Sequence, residues 1–245
     1  MIIKGLIFVA VAAACAAIPL AAGPAKDSFP TSKGDLSITF ITHATLMFEW
    51  SGLVVHVDPV SRGGAENAAL PKADLILVTH EHGDHFDRAA IKVLSKTDTI
   101  LLYTAKCASA VPGGIVLKNG DTRTEKRISV EAVPAYNIVH MRSPGQPFHP
   151  RGDGNGYILT FGDKRVYVAG DTENIPEMKA VKAIDIAFLP MNLPYTMDPE
   201  MAAAAAKVVR PKILYPYHYS QTDPAKLIEL LKNEKDIEVR VRDLR

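Results

Sequence analysis

The chain has 245 residues, 47% of them hydrophobic and 22% charged, with 28 basic against 27 acidic side chains and a formal net charge of +1. That length carries one large core, and the composition is ordinary for a globular chain, so disorder is excluded as the default. No basic stripe or like-charge run is present, and this excludes the usual electrostatic footprint of a nucleic-acid binder. The expected partner is a small-molecule substrate, with no nucleic acid and an open oligomeric state.

Lys4 precedes an apolar stretch, Gly5 to Ala22, followed by Pro24 and the polar segment Lys26 to Asp35. A basic start, an apolar centre and a small-residue exit read as a secretory signal over residues 1–25, cut near Ala22 or Ala25. Export to a bacterial periplasm follows. The stretch is also about long enough for an uncleaved membrane anchor. Cys15, after three alanines, allows a lipid anchor as a further alternative. Residues 26–34 read as a short flexible segment, and 35–245 as one domain. Cys107 is then the only cysteine of the mature chain, so no internal disulfide forms. It reads as a small buried residue.

Short β-rich runs open the domain at Leu36–Thr42, Thr45–Trp50 and Leu53–Asp58, with Ser51-Gly52 as a hairpin turn. Asp74–Thr79 is a continuous apolar run, the mark of a strand buried on both faces. A helix is predicted after Asp87, whose carboxylate can cap it. Thr99–Tyr103 reads as the next strand. The second half repeats the pattern, with strands at Ile128–Pro134, Tyr157–Phe161, Arg165–Ala169 and Ile184–Leu189. Asp198-Pro199 supplies a cap and a first-turn proline for a helix that stops before Pro211. Strand Ile213–Tyr217, a helix opened by Asp223-Pro224 and strand Ile237–Val241 complete the chain. Two strand-rich halves with interspersed helices fit an α+β class, a four-layer αββα sandwich. The longest irregular stretch, 137–156, holds His140 and His149, which favours a functional loop.

Directly after the buried run at 74–79 comes His80-Glu81-His82-Gly83-Asp84-His85. Three imidazoles and a carboxylate are costly beside a core unless paired or bound to metal. Imidazole suits zinc and similar ions, and Gly83 permits a turn that lets its neighbours converge. A metal site is therefore expected here.

This HxHxDH string resembles the signature of the metallo-β-lactamase superfamily. The resemblance implies that His80 and His82 hold one metal, and Asp84 and His85 a second. Other family landmarks match in order across residues 36–218. Asp58, in Val57-Asp58-Pro59, is similar to a buried Asp that orients the ligand loop. Asp171 is similar to the carboxylate that bridges both metals, and His218 to the last ligand of the second. The family's third histidine on the first metal has no counterpart, because the matching segment Val133–Asn137 ends in Asn. His149, flanked by Pro150 and close to Pro147, is the expected replacement. His140 is the alternative, with Asn137 or water if neither binds. His43 is a candidate for the pocket beside local hydrogen bonding, and His56 for packing. Asn192, Tyr195 and Thr196 are placed at the pocket by position alone.

The resemblance implies a hydrolase with two divalent ions, zinc first, with manganese or iron open. A metal-bound hydroxide would attack an ester, lactone, amide or phosphodiester, with Asp84 and Asp171 as the catalytic carboxylates. Pro134-Ala135-Tyr136, Gly170-Asp171-Thr172 and Pro194–Met197 resemble the branch of ascorbate-6-phosphate lactonases and N-acyl-phosphatidylethanolamine phospholipase D-like enzymes. Zinc β-lactamases usually place Cys where Asp171 stands, so β-lactam hydrolysis is disfavoured. An iron-dependent oxidoreductase and a non-catalytic metal-binding protein of the same fold are the alternatives.

Overall fold

The structure, a computed structural model, describes residues 24–61 and 67–244. The expected signal, with Lys4 and Cys15, lies outside them except for Pro24 and Ala25. Among the described residues no helix is long and apolar enough to cross a membrane.

The first half forms one sheet of seven strands in chain order: β1 (Lys26–Phe29), β2 (Leu36–Thr42), β3 (Thr45–Trp50), β4 (Leu53–Val57), β5 (Leu75–Leu77), β6 (Ile100–Tyr103) and β7 (Ile115–Val116). β1 to β4 pair antiparallel, and β4 to β7 pair parallel. The second half supplies β8 (Thr122–Glu125), β9 (Ile128–Ala135), a hairpin of β10 (Met141–Ser143) and β11 (Gln146–Pro147), β12 (Gly154–Phe161), β13 (Lys164–Val168), β14 (Ile186–Pro190), β15 (Ile213–Tyr217) and β16 (Glu238–Val239). Without the hairpin these make a second seven-stranded sheet, ordered β16-β15-β14-β13-β12-β9-β8. Here too antiparallel pairs give way to parallel ones, from β13 onward.

Local chemistry sets these elements. Ser51 and Gly52 both adopt positive φ (48° and 78°), the geometry that a two-residue hairpin turn requires. Along β9 side chains alternate in and out at the start, and β5 is buried throughout, as the two sequence patterns require. Helix α1 (Arg88–Leu94) starts at Asp87, whose Oδ1 accepts from the backbone N–H of Ala89 and Ala90 at 2.8 and 3.2 Å. A short α2 (Ala105–Ala108) follows β6. Asp198 caps α3 (Pro199–Val209) through Met201 N at 2.6 Å, and α4 (Ala225–Leu231) follows β15.

The two sheets pack face to face on an aromatic core. Phe40 meets Tyr215 at 4.9 Å between ring centroids, Phe48 meets Phe161 at 5.6 Å, and Phe188 stacks on Tyr215 at 5.2 Å. Ile91, Leu94 and Cys107, from α1 and α2, cover Ile76 and Val78 on the outer face of the first sheet. α3 packs on β14, and α4 on α3. The αββα layering is therefore as expected, with few and short helices. Cys107 is buried and free.

Residues 26–34 differ from the expectation of a flexible segment. Lys26–Phe29 pair with Thr39–Leu36 as an edge strand, and Phe29 enters the core. Asp27 binds Arg242 Nη2 through both carboxylate oxygens at 2.8 and 2.7 Å and accepts from the Tyr215 hydroxyl. The segment has too few apolar residues to read as a strand alone, and the side-chain partners of Asp27 lie at the far end of the chain.

Candidate metal centre

His80, His82, Asp84, His85, His149, Asp171 and His218 follow the ends of strands and meet along one edge where the sheets are stitched together. Asn155 N donates to Thr79 O at 2.9 Å, and the Tyr157 hydroxyl donates to Val78 O at 2.8 Å. Both bonds run from the second sheet to the exit of β5. Gly170, with φ +67°, brings the exit of β13 against the same place. A Cβ there would sit 2.6 Å from Asn155 O and 3.3 Å from Thr79 Cβ, so only glycine fits. Asp171 is thereby held facing His80 and His85.

Asp58 follows β4 with a φ of 48°, buried, and acts as the hub of the first half. Its Oδ1 accepts from Thr79 N and its Oδ2 from Thr79 Oγ1, both at 2.7 Å. His85 Nδ1 lies 2.7 Å from Asp58 Oδ2 and so donates to it. That bond fixes the His85 tautomer and leaves Nε2 free to face Asp171, 3.3 Å from its Oδ1.

The ligand-type atoms fall into overlapping groups that could hold a metal ion: His80 with His82 and His149, His80 with His85 and Asp171, and His43 with Asp84 and His218. Asp171 Oδ2 stands among them, 3.2 Å from His149 Nε2, 3.4 Å from His218 Nε2 and 3.8 Å from His80 Nε2. Asp84 Oδ2 lies 3.5 Å from His218 Nε2, 3.5 Å from His43 Nε2 and 4.0 Å from His85 Nε2. Tetrahedral ligands at zinc distances are about 3.3 Å apart, so these separations suit ions between them. Buried atoms carry the fit further. His80 Nε2, His85 Nε2, His218 Nε2 and Asp171 Oδ1 have no hydrogen-bond partner, although such atoms are normally paired. A cation satisfies all four.

The ligand-type groups are shifted in different directions: burial would lower His85, but Asp171 and Asp58 hold it well above the usual imidazole range. Burial, and then His85, push His80 well below the usual imidazole range, and burial with His149 lowers His82. Both are neutral near pH 7, the form that binds metal. Burial would raise Asp171, but His218 and His85 hold its carboxyl well below the ordinary range. His218 and His43 do the same for Asp84 against its own burial.

His149 and His140, the two loop histidines, separate clearly. His149 is buried with Nε2 3.1 Å from His82 Nδ1, whereas His140 Nδ1 lies 2.8 Å from Glu173 Oε1, in none of the candidate metal groups. The Asn137 side chain is engaged by protein partners, His149 Nδ1 at 2.7 Å and Tyr195 O at 2.9 Å. His43 packs against His218 with the rings tilted by 43° and centroids 3.9 Å apart, and it lines the cleft. His56 is buried away from it, against Pro71 O at 3.0 Å. The Tyr195 ring meets Phe148, Asn192 lines the cleft, and buried Thr196 braces Asn192 N at 2.8 Å.

Sequence reasoning missed Glu173, Arg142 and Phe148. Glu173 is buried and collects backbone N–H groups, and its only sequence signal is an acid two residues past Asp171. Arg142 lies over the Phe148 ring at 5.5 Å, and both line a cleft of about 570 Å³ in front of Asp84, Asp171 and His218.

The profile described as the beta-lactamase superfamily domain matches residues 37–218, and the chain belongs to the metallo-β-lactamase superfamily. Within it the chain is a metal-dependent hydrolase, as its relatives are named. It is 29% identical over 220 residues to a UPF0173 metal-dependent hydrolase of Pelotomaculum thermopropionicum, covering 84% of this chain and 96% of that one. A Thermococcus kodakarensis relative of the same name is 33% identical, covering 77% and 87%. A crystal structure from Parabacteroides distasonis, assigned as a metal-dependent hydrolase, superposes with a TM-score of 0.86 at 50% identity, covering 91% of this chain and all of that one.

Proposed function

We propose that the chain is a two-metal hydrolase that opens an ester, lactone or phosphodiester bond of a small substrate. The observation that carries this reading is Asp171, a buried carboxylate within 4 Å of histidines from both sides of the site. His80, His82 and His149 would hold one ion, Asp84, His85 and His218 the other, and Asp171 would bridge them. Two divalent ions, zinc first, would supply an activated water and polarise the substrate oxygen. Asp84 is half-buried at the cleft floor, where its free oxygen can orient that water and pass a proton to the leaving group. His43 stands 3.5 Å from Asp84 and shields it on one side.

The cleft bounds the substrate. Its volume falls within the roughly 300–1,000 Å³ typical of small-molecule sites. Phe148 and Tyr195, 5.1 Å apart, offer an apolar wall, and among the described residues Arg142 is the only Lys or Arg lining it. An organic substrate with an anionic group suits that lining. The likeness to the lactonase and phospholipase D-like branch supports the same bond types. The basic-then-apolar start of the chain supports export to the periplasm, which cell fractionation would test.

The test is metal analysis by mass spectrometry on the purified protein, followed by turnover of ester, lactone and phosphodiester panels before and after chelation. Two equivalents and chelator-sensitive turnover are expected. One equivalent or none would overturn the two-metal reading, and two equivalents without turnover on any panel would overturn the bond assignment.

A further inference from the structure

Asn137 stands where the superfamily resemblance calls for a metal-binding histidine, and its contacts define what it does instead. Its amide orientation is forced by chemistry on both sides. His149 N, a donor, lies 2.9 Å from one amide atom, which must be the oxygen. The carbonyl of Tyr195, an acceptor, lies 2.9 Å from the other, which must be the nitrogen. Asn137 Oδ1 is also 2.7 Å from His149 Nδ1. An oxygen cannot donate, so Nδ1 carries the proton, and in the neutral imidazole Nε2 then keeps a bare lone pair. That lone pair faces His82 and Asp171, at 3.1 and 3.2 Å.

Glu173 holds the amide in turn. Its Oε1 accepts from Asn137 Nδ2 at 3.1 Å and from His140 N at 2.7 Å. Its Oε2 accepts from Ile138 N and Val139 N, each at 2.7 Å. Each of these partners is an N–H donor, so the carboxylate is an acceptor on every side. The loop leaving β9 is thus wrapped around one buried anion.

We infer that Glu173 and Asn137 are positioning residues that fix the tautomer and aim of His149, and so create a third-histidine position on the first metal from a loop. This rests on the two-metal reading for its consequence, but the tautomer itself is a property of the metal-free chain. The geometry explains how a departure from the family pattern keeps a complete ligand set. The strand end gives up its histidine, and the asparagine left there orients one delivered from twelve residues further on.

Three proteins test it: wild type, Asn137→Ala and Glu173→Gln. The second variant keeps volume but turns one acceptor oxygen into a donor that faces backbone N–H groups. Long-range ¹H–¹⁵N spectra of metal-free protein should show His149 protonated at Nδ1 in wild type, and a shift toward Nε2 protonation in Asn137→Ala. Chelator competition should show one of two equivalents weakened by about 10- to 100-fold in both variants, with the other unchanged. Circular dichroism spectra like wild type exclude misfolding, and the Glu173→Gln result stands if Asn137→Ala does not fold. Nε2 protonation in wild type, or unchanged metal affinity in both variants, would overturn the inference. A wild type that binds fewer than two ions while showing the Nδ1 tautomer would instead remove the two-metal reading and leave the relay standing.

Discussion

The two halves of the molecule build sheets of the same plan but place metal-ligand candidates in opposite ways. In each, antiparallel strands lead into parallel ones, and the site lies at strand exits. The first half delivers His80, His82, Asp84 and His85 from one turn after β5, braced directly by Asp58. The second half delivers His149, Asp171 and His218 from three separate loops. His149 is held at one remove, through Asn137 and Glu173. A short motif can preorganise a site when one buried carboxylate anchors it. Dispersed ligands need a network of long-range contacts to reach the same precision.

Replacing Asp171 breaks the comparison most severely, because on the two-metal proposal it is the second half's contact to both ions. Asp171→Ala should leave the first-half histidines in place, yet lower turnover on the order of a thousandfold, matching several kcal/mol of lost metal-derived stabilisation. The protein should also hold less than two equivalents of metal. Near-normal metal content and turnover would show that the first half suffices alone.

Next in size is the junction between halves. Phe188 from β14 lies 6.1 Å from Phe40, 6.2 Å from Phe48 and 5.2 Å from Tyr215, and is fully buried. Phe188→Ala should cost about 3–5 kcal/mol in denaturant unfolding. A single weakened transition would mean that the halves fold as one unit. Two transitions would mean that each sheet stands without the other.

The same contrast decides what could be read from sequence. The motif at 80–85 stood out as imidazoles and a carboxylate beside a buried run, and Asp58, Asp171 and His218 were matched through the family resemblance, each just past a predicted strand. Strand patterning also gave the sheets, since buried runs and alternation survive in the local sequence. His149 was expected, with His140, Asn137 or water left open, because a loop's path does not follow from its residues. Glu173 escaped because three of its partners are backbone N–H groups, which carry no sequence identity, and its side-chain partners lie more than thirty residues away. The edge strand at Lys26–Phe29 escaped for a related reason. Its partners include Arg242, more than two hundred residues away.

Asp58 allows the first half's direct brace to be weighed against the second half's relay. Asp58→Asn places an amide nitrogen against either Thr79 N–H or the paired Thr79 Oγ1 and His85 Nδ1, so one donor loses its acceptor. The ion beside His85 should bind about 10- to 100-fold more weakly, and the ion beside His149 should change less, through Thr79 alone. Chelator competition resolves the two. Equal losses at both would show that the brace serves the whole site rather than its own half.

The smallest expected effect concerns His56, a first-half histidine that faces away from the metal centre. Burial lowers its pKa from 6.5, against the opposing pull of Pro71 O and Glu49. The unfolded chain therefore takes up a proton near pH 6.5 that the folded chain refuses. Stability should be unaffected by this residue above that pH. Below it, stability should fall toward the folded pKa, with a slope of up to about 1.4 kcal/mol per pH unit from one group. Metal-free wild type and His56→Gln, unfolded in urea from pH 8 to 5, separate this contribution from that of the site histidines. The two stability curves should be parallel above pH 6.5, with wild type falling more steeply below it. Curves that stay parallel throughout would place the acid sensitivity entirely in the ligand histidines, and so in the junction that both halves share.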